Sequence, residues 1–424
     1  MTAEAVVMNK SAVAMAADSA VTIASGRRGV KTYDTVNKLF ELVEGAPVGI
    51  MVYDNSELCG MPWETIIKCY RESRSGKCFD RLEDYAEDFL QFIIQDDTMI
   101  TSENEEFVVL DAAYATLVGV FDYIMKGFEA CFTKDEKLVK AKLKRLVNSA
   151  IEKALEDADG DEEGPWSDRL PLTKLRTEYS STVAILLDEL FAKFDLNRLQ
   201  KRRLVDVALN SLRKNEHGLA SSGLVVAGFG QNEYFPRMCH TEIGGRVMGT
   251  LLSDPLQTRQ VTLAEPGHLE TFAQDEMAWG FLSGINGKVR HSIIDYWEKW
   301  VAASSSEAKA SLGEALPSLS EEEVKTISTL FHRAIHGRYR DFLKRMQHEQ
   351  ETQYIEPMWQ SVASLPKGEL GVLAESLVNL TSLKQRVSIY DAQTVGGEID
   401  VALISRGDGF VWLKRKKQYT AQLG

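Results

Sequence analysis

The stretch that decides the fold is "TAEAVVMNKSAVAMAADSAVTI", residues 2–23. Two short apolar runs flank the polar triplet "NKS", so the spacing predicts strands over 2–9 and 11–18 joined by a turn. Chain termini usually carry polar slack, yet here Thr2 stands directly behind Met1 and the strand begins at once. If Met1 is removed, Thr2 carries both a hydroxyl and an α-amine, and an α-amine ordinarily titrates at about 7.7–8.0. A threonine paired with its own amine is a nucleophile with a built-in base. The plainer alternative is a small, permissive second residue ahead of an edge strand.

Outward from this stretch, "SGRRGVKTYDTVN" (25–37) reads as a loop, and "KLFELV" (38–43) and "VGIMVY" (48–53) read as two more strands. Four strands with few charges imply a sheet covered on at least one face. At "DNSELCGMPWETIIKCYRE" the period changes to 3.6, which predicts a helix capped by Ser56 or Asp54 and running to Glu72. Helical patterns follow over 80–97, 105–132, 135–157, 171–193 and 196–215, with the acidic "EDADGDEEGPWSD" (156–168) as a solvated linker. That linker has no closing Glu in a calcium-loop frame and its glycine is misplaced. Strand character returns at 222–230, 232–243 and near 259–265. Helices are expected from "ETFAQDEMAWGFLSGI" to Trp359 and over 368–385, and a terminal hairpin over 398–405 and 409–416.

Composition narrows the function classes. The chain has 424 residues, 44% hydrophobic and 26% charged, which suits a globular protein with a sizeable core. A net charge of −13 disfavours nucleic acid and anionic membrane as partners. No run of about 18 apolar residues is seen, so no membrane span is expected. The start lacks the charged and apolar regions of a secretory signal. Five cysteines without a CxxC pattern read as reduced thiols, and a cytoplasmic location is expected.

Two charged residues stand close to the strands that matter. Asp18 ends the second strand, and in a hairpin it returns beside the start of the first, hence beside Thr2. Lys38 opens the third strand. A lysine beside the nucleophile would keep the amine neutral and stabilise a developing alkoxide; the alternative is an ordinary structural ion pair.

With these residues in place the sequence resembles the N-terminal threonine hydrolases, the proteasome β-subunits and their bacterial ring-protease relatives. The resemblance places the family nucleophile on Thr2, its aspartate on Asp18, its lysine on Lys38 and its substrate-holding threonine on Thr22. "SGLVVAGFGQNEYF" resembles the central hairpin. Near the end, "SIYDAQTVGGEIDVALIS" resembles the family's acid-x-x-hydroxyl pair followed by Gly-Gly-x-Ile-Asp, giving Asp391 and Thr394. Departures are a missing oxyanion glycine near Asp54, a Val395 inserted before Gly396, and "ETFAQ" (270–274) where a Gly-Ser-Gly is usual. The resemblance implies an α+β fold, the N-terminal-nucleophile four-layer αββα sandwich with two helix-rich insertions. The core would comprise 2–125, 221–279 and 360–424, and the insertions 126–220 and 280–359. It implies amide-bond hydrolysis through an acyl-enzyme on Thr2, with Asp18, Lys38, Asp54, Asp391 and Thr394 at the site, no cofactor and no metal. A peptide or protein substrate, a homo-oligomeric ring and an unfoldase or regulatory partner are the associations it suggests. A non-catalytic scaffold and a small-molecule amidase are the rival readings.

Other motifs carry less. "HRAIH" (332–336) spaces two histidines by one turn but lacks the glutamate of a zinc peptidase. "CH" at 239–240 reads as packing. The basic helices "KLVKAKLKRLVNSAIEKAL" (137–155) and "NRLQKRRLV" (197–205) read as solvated or interdomain faces, with a partner-docking surface as the alternative, and "SGRRG" (25–29) as a solvated loop, with a preference for acidic substrates as the alternative.

Overall fold

A computed structural model of the chain describes residues 3–24, 30–33, 35–129, 136–215, 219–273, 276–316, 318, 320–387 and 395–416. It is an α+β protein whose strands form antiparallel pairs. Two compact units emerge: residues 1–36, 261–403 and 412–424 in one, and residues 37–260 and 404–411 in the other.

The first unit is built on β1 (Ala3–Asn9) and β2 (Ala12–Ala17), every residue of which is buried. Asn9 makes the turn: its Oδ1 accepts from the Ser11 amide at 2.9 Å. Its Nδ2 donates to the carbonyls of Val362 (3.1 Å) and Leu365 (2.9 Å), satisfying a helix end. The sheet order is β13 (Gly267–Ala273), β1, β2, β14 (Asp400–Ser405), β15 (Gly409–Lys414). Alternation along the strands aims Ala3, Ala5, Val7, Ala12, Ala14 and Ala16 at one face. There they pack under α7 (Glu276–Ser283), α10 (Glu356–Ser364) and α11 (Lys367–Val387). The small alanines let the helices lie close. Gly267 is required for the same reason, because a Cβ there would sit 2.4 Å from the Trp359 carbonyl of α10. Two long helices, α8 (Gly287–Ala315) and α9 (Glu321–Gln350), complete this unit, and a π turn over Glu351–Ile355 joins α9 to α10.

The second unit carries a sheet ordered β11 (Thr250–Ser253), β10 (Arg237–Val247), β9 (Ser222–Gly228), β6 (Val48–Asp54), β5 (Leu39–Glu41), with β12 (Gln257–Gln260) also on β10. One face, including Phe40, Ile50, Val52, Leu224 and Val226, packs under α1 (Trp63–Ser73) and α2 (Leu82–Gln95). A second core joins α3 (Ser102–Glu129), α4 (Glu136–Gly160), α5 (Leu172–Leu190) and α6 (Arg198–Ser211) to Val247 and Leu252 of the sheet. Helix α3 is, over Ser102–Phe128, long and apolar enough to cross a membrane by length and composition, with mean hydropathy 1.6. Isolated charges, Asp111 and Asp122 among them, interrupt its apolar run in the sequence. In this unit Val109, Ala112, Ala113, Leu117 and Ile124 are its fully buried residues, and they form part of the helical core.

Several expected elements need correction. The helix predicted from Ser56 or Asp54 starts at Trp63, with Pro62 as N-cap and no side-chain cap. A small hairpin, β7 (Glu57–Leu58) and β8 (Met61–Pro62), precedes it. Cys59 and Gly60 both take positive φ (52° and 77°) in its turn, the primed geometry that matches strand twist. The segment around 25–37 contains strand, β3 (Val21–Ala24) pairing with β4 (Val30–Tyr33); "SGRRG" lies outside the described residues. The stretch from Glu270 to Ala273, read as helix, is the end of β13 paired to β1 through Glu4↔Phe272 and Ala3↔Ala273. The acidic linker is not simply solvated: Trp166 within it is 2% exposed and its Nε1 donates to the Leu212 carbonyl at 2.8 Å.

Candidate functional site

In the first unit the chemistry gathers at the end of β2. Asp18 is 1% exposed. Its Oδ1 accepts from the Ala3 amide (3.2 Å), and its Oδ2 from the amides of Gly396 (3.1 Å) and Ala20 (3.4 Å). The Asp18 amide in turn donates to the Ala3 carbonyl at 3.2 Å. A buried carboxylate is tolerated only when its lone pairs are met, and here three backbone N–H groups meet them. One side chain thus pins the first residue of β1, the end of β2 and the approach to β14. Ser19 beside it is fully buried, its Oγ donating to the Glu398 carbonyl at 2.6 Å. Lys416 donates to Ser19 Oγ (3.0 Å) and to the Val36 carbonyl, and its Nζ lies 3.3 Å from Oδ2 of buried Asp400. The Lys416 amide also donates to Asp400 Oδ1 at 2.8 Å.

In the second unit Lys38 is 5% exposed and sits just before β5, its carbonyl accepting from the Val52 amide at 2.9 Å. Asp54 ends β6 opposite Ser222 in left-handed backbone, φ 64°. That conformation favours glycine, and among other residues Asn and Asp tolerate it best. The side chain reaches solvent, yet the protein packed around its carboxyl raises its pKa above the ordinary 3.8; Glu242 adds to the rise and Lys38 opposes it. Lys38 and Asp54 are therefore within electrostatic reach of one another.

Next to Asp54, Tyr53 lays its ring across Gly223, where a Cβ would stand 1.9 Å from the ring carbon Cζ. The register explains the contact, since Tyr53, Gly223 and Glu242 lie in one row across β6, β9 and β10. The Tyr53 hydroxyl is 2.6 Å from His240 Nε2 and donates to Glu242 Oε1 at 3.5 Å; Ser221 Oγ donates to Glu242 Oε2 at 3.4 Å. Cys239 and His240 therefore part company. Cys239 belongs to the core under α1 and α2, its thiol pushed by burial up to about 12, while His240 joins this polar row.

Of the other expected site residues, Thr2, Asp391 and Thr394 lie outside the described residues. Thr22 is in β3, its backbone opposite Thr32 of β4. Asp18 belongs to the first unit, Lys38 and Asp54 to the second. His332 and His336 sit 4.8 Å apart, ring to ring, on α9, and no group of three or more potential metal ligands occurs among the described residues. The basic helices are tied to their neighbours through Arg203–Glu152 (2.6 Å) and Lys201–Asp188 (2.7 Å). Ser19, Asp400 and Lys416 went unremarked as site residues. Asp400 stands in the "GGEID" motif, but nothing local marks Lys416, which reaches the site from 397 residues away.

No family model and no curated protein matches the chain. Among solved structures it is similar to one described as Anbu (Gly-1) mutant from Hyphomicrobium sp. strain MC1, with 9% identity, 100% of this chain and 88% of that chain covered, and a TM-score of 0.28. A similarity of that size speaks to neither site nor activity.

Proposed function

We propose that the chain is a threonine-type N-terminal-nucleophile hydrolase that cleaves amide bonds, most simply those of peptides, with the four-layer sandwich of that family as its fold. The observation that carries this reading is the buried Asp18 carboxylate on the amide of Ala3, which anchors the chain immediately after Thr2. A nucleophile at a strand end gains from such anchoring, because orientation is a large part of catalysis. Thr2 Oγ attacks the carbonyl carbon while the Thr2 amine takes its proton and passes it to the leaving amine. Water then cleaves the acyl-enzyme ester and regenerates Thr2. Asp18 and Lys38 tune the amine, an amide near Asp54 donates to the oxyanion, and Asp391 and Thr394 support the terminus. This chemistry calls for no cofactor. A ring of identical chains, fed by an unfoldase, belongs to the same reading.

The test is the intact mass of the native protein followed by labelling with an epoxyketone peptide, which closes a ring on a hydroxyl and its neighbouring amine together. Expected are loss of Met1, one adduct per chain, and no adduct in Thr2→Ala or in a variant retaining Met1. A folded, Met-free protein that takes up no label would sink the hydrolase. A non-catalytic member of the same fold is then the better reading, and one observation already favours it: a carboxylate at Asp54, where a developing oxyanion would meet negative charge.

A further inference from the structure

We propose that α8 and α9 form an arm through which two copies of this chain associate, each arm lying against the other in reversed direction. The helices pair as an antiparallel hairpin, aligned by Trp297 against Phe342 (ring centroids 5.5 Å) and by the Tyr339 hydroxyl on Glu298 (3.5 Å). At 29 and 30 residues each is about 44 Å long. Val301, Val324, Ser328 and Tyr339 are buried along the seam. A second row stays in water: Val289, Tyr296 and Trp300 on α8, and Ile327, Leu330 and Phe331 on α9, with Tyr296 68% and Leu330 58% exposed. Helical spacing puts each row about a quarter turn from its seam. Because the helices run in opposite directions, both rows fall on one side of the hairpin. An apolar stripe of this extent marks an interaction surface.

Charge identifies the occupant. Residues 287–301 and 333–350, which make the base of the arm, hold eight Lys and Arg against four Asp and Glu, a net +4. Residues 302–332, the tip, hold two against five, a net −3. The dipole of α9 favours its own pattern, with Glu321, Glu322 and Glu323 in its first turn, but the dipole of α8 does not. In α8 the pattern opposes the dipole, with Lys288 and Arg290 in its first turns and Glu314 in its last. Within the hairpin the two helices carry net charge of the same sign at each end, although Lys288 pairs with Glu276 and Lys299 with Asp295, and such an excess costs stability unless something opposite lies alongside. A second arm turned end for end supplies it, base on tip and tip on base. The apolar rows match under the same operation. Tyr296 lies ~14 Å from the base and Leu330 ~14 Å from the tip, so the α8 row of one copy meets the α9 row of the other. A contact in which each partner offers the same two surfaces is the self-complementary, two-fold kind.

The inference is independent of the Thr2 reading, and Thr2→Ala should leave it intact. Light scattering on the full-length chain at about 0.1 M salt reads the assembled mass, and three samples decide. Arg338→Glu with Arg340→Glu and Arg345→Glu makes the base acidic; Glu321→Lys with Glu322→Lys makes the tip basic. Each alone should weaken association at least tenfold and halve the assembled mass toward its arm-free value. An equal mixture of the two variants should restore the wild-type mass, because each now complements the other. The mixture also guards against misfolding, since misfolded arms would not rescue each other. A wild-type chain that stays at 47.4 kDa at micromolar concentration, reversals that leave the mass unchanged, or a mixture that stays apart would each overturn the proposal.

Discussion

Asp54 stands in left-handed backbone at the end of β6, with its carboxyl crowded by protein on one side and by the charge of Glu242 on another. Its pKa is raised above the unfolded value of 3.8, so the folded chain binds more protons than the unfolded chain in that window and stability falls as pH rises through it. Asparagine keeps the left-handed tolerance and cannot ionise. Asp54→Asn should match wild type below pH 3.8 and be the more stable protein at neutral pH, read as urea midpoints across that range. Equal midpoints at both ends would show that the carboxyl is not penalised by its surroundings. At this scale the sequence was partly legible. Asp18 stood out because a charge ending an apolar strand must find partners, and it finds three amides. Tyr53 with His240 did not, because their meeting depends on a three-strand register and on the bare surface of Gly223.

Arg246 of β10 does for an element what Asp18 does for a strand end. It is 2% exposed, and its guanidinium donates to the carbonyls of Ile93 (3.1 Å), Ile94 (3.0 Å) and Ile100 (2.5 Å), gathering the C-terminal end of α2 and the turn after it. Its Nε pairs with Glu105 of α3 at 2.6 Å, a residue itself only 6% exposed. Arg246→Met removes the cation and leaves Glu105 and the helix-end carbonyls buried without it, which should cost about 3–5 kcal/mol. Adding Glu105→Gln should recover part of that loss, since the two sites share one network; urea unfolding of both variants checks it. Elements were legible where pattern and partner agreed, as in the β1–β2 hairpin with its "NKS" turn. They were misread where a distant strand outvoted local preference. "ETFA" favours helix by composition, yet β1 offers it a ladder, and β13 is the result. Pro62 and the Cys59–Gly60 turn likewise displace the start of α1 by several residues.

Across the whole molecule the two helix-rich stretches looked alike in sequence, as runs of amphipathic helix with no counterpart in a minimal sandwich. Their cores set them apart. Helices α4, α5 and α6 share one cluster with α3 and with Val247 and Leu252 of the sheet. Removing residues 136–211 would bare Val109, Leu117, Val247 and Leu252, each now at or below 1% exposure. At about 1.5–3 kcal/mol for each such side chain, the loss is on the order of 6–12 kcal/mol, comparable with the whole stability of a domain, about 5–15 kcal/mol. That truncation should not yield a folded protein. The α8–α9 arm is different, because its buried residues face each other and leave together. Its ends also lie side by side, with Gln350 Nε2 donating to the Ser283 carbonyl at 3.3 Å, so a few glycines can close the gap. Excising residues 287–349 should shift the melting temperature by no more than about 3 °C and leave labelling at Thr2, if labelling occurs, intact. It should also abolish arm-dependent association. A large fall in melting temperature would mean that the arm shares a core with the sheet, and that the two insertions are as alike in structure as they are in sequence.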